Sequence, residues 1–118
     1  MQITIPFKTP TINHLYLRRG YHSFLTKEAR ELQKQIAMIL SDTTFEFLEQ
    51  KLKVSVDIYE NWYYQNGSVA TKDISNREKF LIDAVFKALE LDDKYIFEHI
   101  LRKVQSDEEK AIINIEEL

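Results

Sequence analysis

Acidic residues stand at both ends of one amphipathic segment of the chain. Asp73 lies just before a helix-start signal, and Asp92 and Asp93 follow the end of the helical pattern. Oxygen ligands such as these carboxylates hold hard cations like Mg²⁺, which can promote the hydrolysis of a phosphodiester. The same residues could instead cap and solvate the helix.

The start of the segment has a structural explanation of its own. Ser75 and Glu78 have the spacing of a capping box, in which a hydroxyl and a carboxylate accept from free amides of the first turn. The helix macrodipole also favours Asp73 there, but it disfavours Asp92 and Asp93 at the opposite end. Either plain solvation or a bound cation must therefore explain that pair.

The apolar patterns predict the elements that position these residues. Apolar stripes predict one helix from Thr26 to about Leu40 and another over 76–90, whereas residues 95–105 fit a helix or a strand equally well. Three further segments alternate as strands do: 2–6, 51–60 and 110–116. We expect an α+β fold, with a small mixed β-sheet packed with two main helices in a single domain, 1–118.

Composition removes several classes of function. The chain has no cysteine, which excludes disulfides, thiolate zinc sites and a cysteine nucleophile. The three histidines (His14, His22 and His99) have no metal-ligand spacing. No apolar run approaches the ~20 residues that span a bilayer, and the first residues do not resemble a secretion signal. The sequence predicts a cytoplasmic protein that does not enter membranes.

The basic residues are concentrated near the start of the chain. The net charge is −3, yet residues 1–36 hold six Lys or Arg and only two Glu. Residues 7–25 show no periodicity and predict a long loop. Within 8–22, Arg18 and Arg19 could follow DNA phosphates, and Tyr16 and Tyr21 could stack on bases. The alternative is that the tyrosines pack on the core and the arginines are only solvated.

Two motifs resemble the signature of RusA-type Holliday junction resolvases. The run Asp73-x-x-Asn76-x-x-Lys79-x-x-x-Asp83 is followed nine residues later by Asp92-Asp93. The family pattern is D-x-D-N-x-x-K-x-x-x-D, then a D-D pair that opens a strand ending near a lysine. Here Arg102-Lys103 occupies the place of that lysine. The opening of the chain is also similar, with a strand that ends in proline followed by Thr11, Asn13, Tyr16, Gly20, Thr26 and Ala29.

The resemblance implies a homodimeric, Mg²⁺-dependent endodeoxyribonuclease that resolves four-way junctions in branched DNA by paired nicks. Carried over by position, Asp73 and Asp93 would bind the metal, with Asp83 and Asp92 as further candidate ligands. Lys79 would contact the scissile phosphate. Lys72 could hold the DNA backbone, or it could be only a solvated loop lysine. Two alternatives remain, namely a protein that binds branched DNA without cutting it and a small α+β interaction module with no nucleic-acid role.

Ser75 is the one departure from the family's catalytic positions. It stands where the family usually has its second aspartate, and a hydroxyl is a weaker Mg²⁺ ligand than a carboxylate. Either water takes the place of that ligand, or Asp83 or Asp92 compensates, or catalysis is impaired.

The predicted helix sets a geometric condition on the metal site. A helix over residues 76–89 is roughly 20 Å long, whereas ligands of one Mg²⁺ lie within ~2.1 Å of it. Asp73 and Asp93 of one chain therefore cannot hold the same ion, and we expect a two-fold dimer with antiparallel helices that shares its sites. Four phenylalanines could leave apolar surface for the partner: Phe45, Phe47, Phe80 and Phe86.

Overall fold

The computed structural model describes residues 1–10, 15–20, 22–46 and 50–118. Within these ranges the named elements are two α-helices, a four-stranded sheet, a two-stranded hairpin and a short 3₁₀ turn, Asp93–Tyr95. In chain order the strands and helices are β1 (Gln2–Ile5), β2 (Tyr16–Arg19), β3 (His22–Leu25), α1 (Lys27–Ile39), β4 (Leu52–Glu60), α2 (Ser75–Leu89), β5 (Ile96–Gln105) and β6 (Lys110–Glu117). No helix in these ranges is long and apolar enough to span a membrane.

The main sheet is mixed, as the sequence predicts. Its strand order is β1-β6-β4-β5, and every neighbouring pair is antiparallel except β4 and β5. Helix α2 connects those two parallel strands. Their register places Leu52 beside Ile96 at one end and Glu60 beside Gln105 at the other.

One face of the sheet forms the core with both helices. Val54, Val56 and Ile58 of β4 are at most 1% exposed, and they share a single buried cluster with Ile36 of α1 and Val85 of α2. Truncating a buried aliphatic side chain to alanine typically costs 2–5 kcal/mol. This packing, rather than helix propensity, fixes α2 on the sheet.

Helix α1 begins where its cap residue predicts. The Thr26 hydroxyl accepts a hydrogen bond from the amide of Ala29 at 3.0 Å. Ala29, Ile36 and Leu40 are buried as expected, although Ile39 remains 43% exposed.

Residues 95–105, which the pattern left undecided, form a strand. β5 pairs with β4 on one side and forms an edge of the sheet. Most of its side chains are exposed, and that of Phe97 is 64% exposed. This exposure explains why the sequence of β5 lacks a clean alternation.

The prediction of a long loop over residues 7–25 is wrong in its second half. β2 and β3 form an antiparallel hairpin, and Gly20 follows β2 with a φ of 61°, which suits glycine. Leu17 and Phe24 lie opposite each other and are both more than half exposed, and Tyr16 and Leu25 on the other face are only half-buried, so no fully buried face imposes a period on the sequence. Residues 11–14 and 21 lie outside the described residues.

The predicted capping box is also wrong. Helix α2 begins at Ser75, whose amide and hydroxyl donate to Oδ1 of Asp73 at 2.9 and 2.8 Å. The Glu78 carboxylate instead lies with Oε1 2.9 Å from Nε2 of His99. Aspartate readily accepts from the backbone two residues ahead, and here that local turn replaces the reciprocal cap.

The phenylalanines do not supply the expected apolar surface. Phe80 and Phe86 are each 2% exposed and belong to the core. Phe45 is half-buried, and Phe47 lies outside the described residues.

Candidate active site

The β4–α2–β5 connection separates the acidic residues into two groups. Because β4 and β5 are parallel, the helix between them must run in the opposite direction. The start of α2, with Asp73 before it, therefore lies at the carboxyl ends of both strands. Asp92 and Asp93 lie at the amino end of β5, and the 15 residues of α2 correspond to about 21 Å.

Asp73 lies beside Ser75 and a lysine of β5. The hydrogen bonds from the Ser75 amide and hydroxyl lower the pKa of Asp73 from its ordinary value, and the nearby charge of Lys103 lowers it further. The Asp73 side chain is therefore a carboxylate at neutral pH.

An acidic cleft lies at the other end of α2. Its volume is about 400 Å³, and its charged lining residues are Asp83, Lys87, Glu90, Asp92 and Asp93. Four carboxylates thus face one lysine. Burial raises the pKa of Asp83; Lys79 lowers it in part, and the charge of Asp93 raises it further. The negative charges of Asp83 and Asp93 therefore repel each other in this cleft.

Replacement of Asp83 by asparagine should stabilise the metal-free protein at neutral pH. Because the folded-state pKa is raised above the ordinary 3.8, the stability linked to Asp83 is present below that value and is lost as pH rises through the folded pKa. We expect Asp83→Asn to increase Tm by roughly 1–3 °C at pH 7 in EDTA. The gain should vanish near pH 3.5. A gain that grows as pH falls would contradict the charge repulsion assigned to this cleft.

Two further lysines that the sequence predicted for the site, Lys72 and Lys79, lie near the two acidic groups of α2. Lys72 donates to Oε2 of Glu60 at 3.1 Å and to the carbonyl oxygen of Asn61 at 2.7 Å, with 30% of its side chain exposed. Lys79 is exposed on α2, one turn before Asp83. Lys79 therefore lies along the helix between the two acidic groups.

The basic hairpin presents part of the predicted DNA surface. Arg18 and Arg19 are exposed on β2. Tyr16 is half-buried against the core, and burial followed by the charge of Asp83 raises its pKa. Tyr21 lies outside the described residues. The hairpin thus approaches α2 at Asp83, on the side of the acidic cleft.

Sequence reasoning missed a buried charged cluster next to Asp73. Glu60 and Arg77 are each 1% exposed and form a salt bridge, in which Glu60 also accepts from Lys72. A signal was present, because Glu60 continues the core-facing alternation of β4 from Leu52 to Ile58. A carboxylate at such a position requires a buried partner.

The structure does not bring Asp73 and Asp93 together within one chain. Across the described ranges, no three His, Asp or Glu side chains are grouped so that they could hold a metal ion. The donors that are present, all carboxylate oxygens, suit a hard divalent cation. Within one chain these donors remain in two separate groups, one at each end of α2.

The comparisons with known proteins assign the chain to a family. No curated protein matches the sequence. The family model described as endodeoxyribonuclease RusA matches residues 6–116, nearly the whole chain. All of α2, with the acidic residues before and after it, lies inside the matched range. The chain therefore belongs to the RusA endodeoxyribonuclease family.

Proposed function

We propose that the protein is a homodimeric, Mg²⁺-dependent endonuclease that resolves four-way DNA junctions by paired nicks. The observation that carries this proposal is the family match over residues 6–116. The separated acidic groups support the dimer, and the carboxylate ligands support a hard cation.

The metal site is shared between two subunits in this proposal. Asp73 of one chain, at the start of α2, faces the acidic cleft of a second chain, where Asp83, Asp92 and Asp93 lie near the end of α2. A two-fold axis between antiparallel α2 helices places the start of each helix beside the end of its partner, so the arrangement occurs twice in the dimer. Two equivalent sites suit the cutting of two strands of one junction.

The side chains then have distinct tasks at each site. The cation would be held by Asp73, which Ser75 and Lys103 keep ionised, and by Asp93. Asp83 and Asp92 would be adjacent oxygen donors. A bound divalent cation supplies positive charge toward the phosphate and lowers the pKa of a water molecule. Lys79 offsets phosphate charge from the exposed face of α2. Arg18, Arg19 and the exposed part of Lys72 contact the DNA backbone, and the exposed part of Tyr16 stacks on a base.

A synthetic four-way junction with each strand labelled in turn tests this function. With Mg²⁺ we expect nicks at matching positions in two opposing strands, and no cutting of a linear duplex of the same sequence. The result that would overturn the proposal is an intact junction at every Mg²⁺ and Mn²⁺ concentration.

One observation favours a second function, the binding of branched DNA without cleavage. Ser75 provides no charge where the family usually has an aspartate, and its hydroxyl already donates to Asp73. Under this alternative, the junction shifts on a gel and remains intact.

Replacement of Ser75 by aspartate tests whether position 75 faces the metal ion or has only a local structural role. A unit charge about 4 Å from another is worth about 1 kcal/mol in water, and about twice that toward a divalent ion, so the Mg²⁺ midpoint of cleavage should fall roughly thirtyfold. Ser75→Asn is the matched control, because it keeps a polar side chain without adding charge. Equal Mg²⁺ midpoints for the two variants would show that position 75 does not face the ion.

A further inference from the structure

Three cationic side chains surround the indole ring of Trp62. Lys103 Nζ, Arg77 Cζ and Lys72 Nζ lie 5.0, 5.4 and 5.6 Å from the centre of the ring. Such distances give favourable cation–π contacts. Lys72 directly precedes Asp73, so this cluster lies beside a proposed metal ligand.

The indole ring is held rigidly at the carboxyl ends of β4 and β5. Trp62 is 3% exposed, and its Nε1 donates to the carbonyl oxygens of Ile58 and Val104 at 3.2 and 3.0 Å. Its amide donates to Oε1 of Gln105 at 2.7 Å. These bonds connect neighbouring strands, so the ring is a fixed platform for the side chains that lie over it.

The cluster carries more positive than negative charge, with three cations against the carboxylates of Glu60 and the nearby Asp73. Both oxygens of Glu60 are occupied, Oε1 by Arg77 and Oε2 by Lys72. Lys103 is exposed and makes no salt bridge to a carboxylate within the described ranges. The ring contact orients its ammonium group without neutralising the charge.

The neighbouring arginine of β5 provides a direct contrast. Arg102 points to the opposite face of the sheet, since successive strand residues alternate, and its Nε donates to Oδ1 of Asp57 at 2.6 Å. Asp57 thus forms a salt bridge with Arg102 and neutralises its charge. Of these two adjacent cations, only Lys103 lies over Trp62.

We propose that Lys103 binds a DNA backbone phosphate beside Asp73, on a platform built by Trp62 and the buried Glu60–Arg77 pair. This inference rests on the proposed function, because the phosphate belongs to the junction that is cut. Trp62 and Glu60 act as positioning residues, whereas Lys103 touches the substrate. Preorganisation on a rigid ring reduces the side-chain entropy that a long lysine loses when it binds.

The paired variants Lys103→Met and Arg102→Met test the assignment. Each removes one positive charge from an exposed position of β5, so a nonspecific charge effect would be equal in both. We expect Lys103→Met to weaken junction binding in EDTA and to reduce the slope of log Kd against log salt concentration by about one. Arg102→Met should keep the wild-type slope. Equal slopes for the two variants would overturn the proposal.

Trp62 supplies a second readout, because it is the single tryptophan of the chain. A phosphate that draws Lys103 away from the ring should change the Trp62 emission when a four-way junction is added in EDTA. We expect this change in wild type and in Arg102→Met, and its loss in Lys103→Met at saturating junction. An unchanged emission response in Lys103→Met would contradict the proposed contact.

The two proposals fail in different ways. If wild type binds the junction but does not cut it with Mg²⁺, the catalytic proposal falls, while the two variants still decide the role of Lys103. If wild type shows no salt-sensitive junction binding, the phosphate assignment falls as well.

Discussion

Replacement of Asp73 by asparagine should abolish junction cleavage and leave junction binding nearly unchanged. The asparagine Oδ1 can still accept from the Ser75 amide, so the start of α2 is preserved. The lost negative charge is the one that Ser75 and Lys103 keep ionised. Because a catalytic cation contributes several kcal/mol to transition-state stabilisation, we expect the cleavage rate to fall by about 10³-fold or more.

Single-turnover cleavage of a labelled junction measures this loss, and a gel shift in EDTA measures binding. Asp42→Asn is the control, because Asp42 is an exposed aspartate that precedes β4 and takes no part in the proposed site. An Asp73→Asn variant that cuts within tenfold of the wild-type rate would remove Asp73 from the ligand set.

Glu60 is the residue whose loss should cost the most stability. Glu60→Ala leaves the Arg77 guanidinium buried without its carboxylate and removes a partner of Lys72. Breaking one side of a buried ion pair typically costs 3–5 kcal/mol. Urea unfolding at neutral pH should therefore show a fall in the free energy of unfolding of about that size, with little change in the m value.

A double variant distinguishes a buried ion pair from a simple packing defect. Glu60→Leu combined with Arg77→Met fills the same space without charge, and such replacements are often neutral or stabilising. We expect the double variant to be clearly more stable than Glu60→Ala. If the two are equally unstable, packing around Glu60 rather than its charge holds this part of the core.

The regular elements were predictable wherever burial imposes a period. β4 follows from the alternation of Leu52, Val54, Val56 and Ile58, since that face is fully covered. The hairpin of β2 and β3 was missed and β5 was left undecided because exposed strands on hairpins or edges carry no such constraint. The register of a weakly patterned strand depends on its neighbours rather than on its own residues.

The site was predictable in its parts but not in its local contacts. The spacing of Asp73 and Asp93 along the chain already required two separate acidic groups, because a helix of roughly 20 Å lies between them. The predicted capping box of Ser75 with Glu78 is replaced by hydrogen bonds from Ser75 to Asp73, since a serine can pair locally with either acidic side chain. The approach of Lys103 to Asp73 depends on the parallel pairing of β4 with β5, which no local pattern specifies.

The shared metal site can be tested most directly by mixing two inactive subunits. Asp73→Asn and Asp93→Asn homodimers should each fail to nick a four-way junction with Mg²⁺. After the two are unfolded together and refolded, random pairing makes about half of the dimers mixed. In a mixed dimer that shares its sites, one site has both aspartates and the other has neither. The account predicts that the mixture recovers nicking of single strands, and a mixture as inactive as its parents would contradict it.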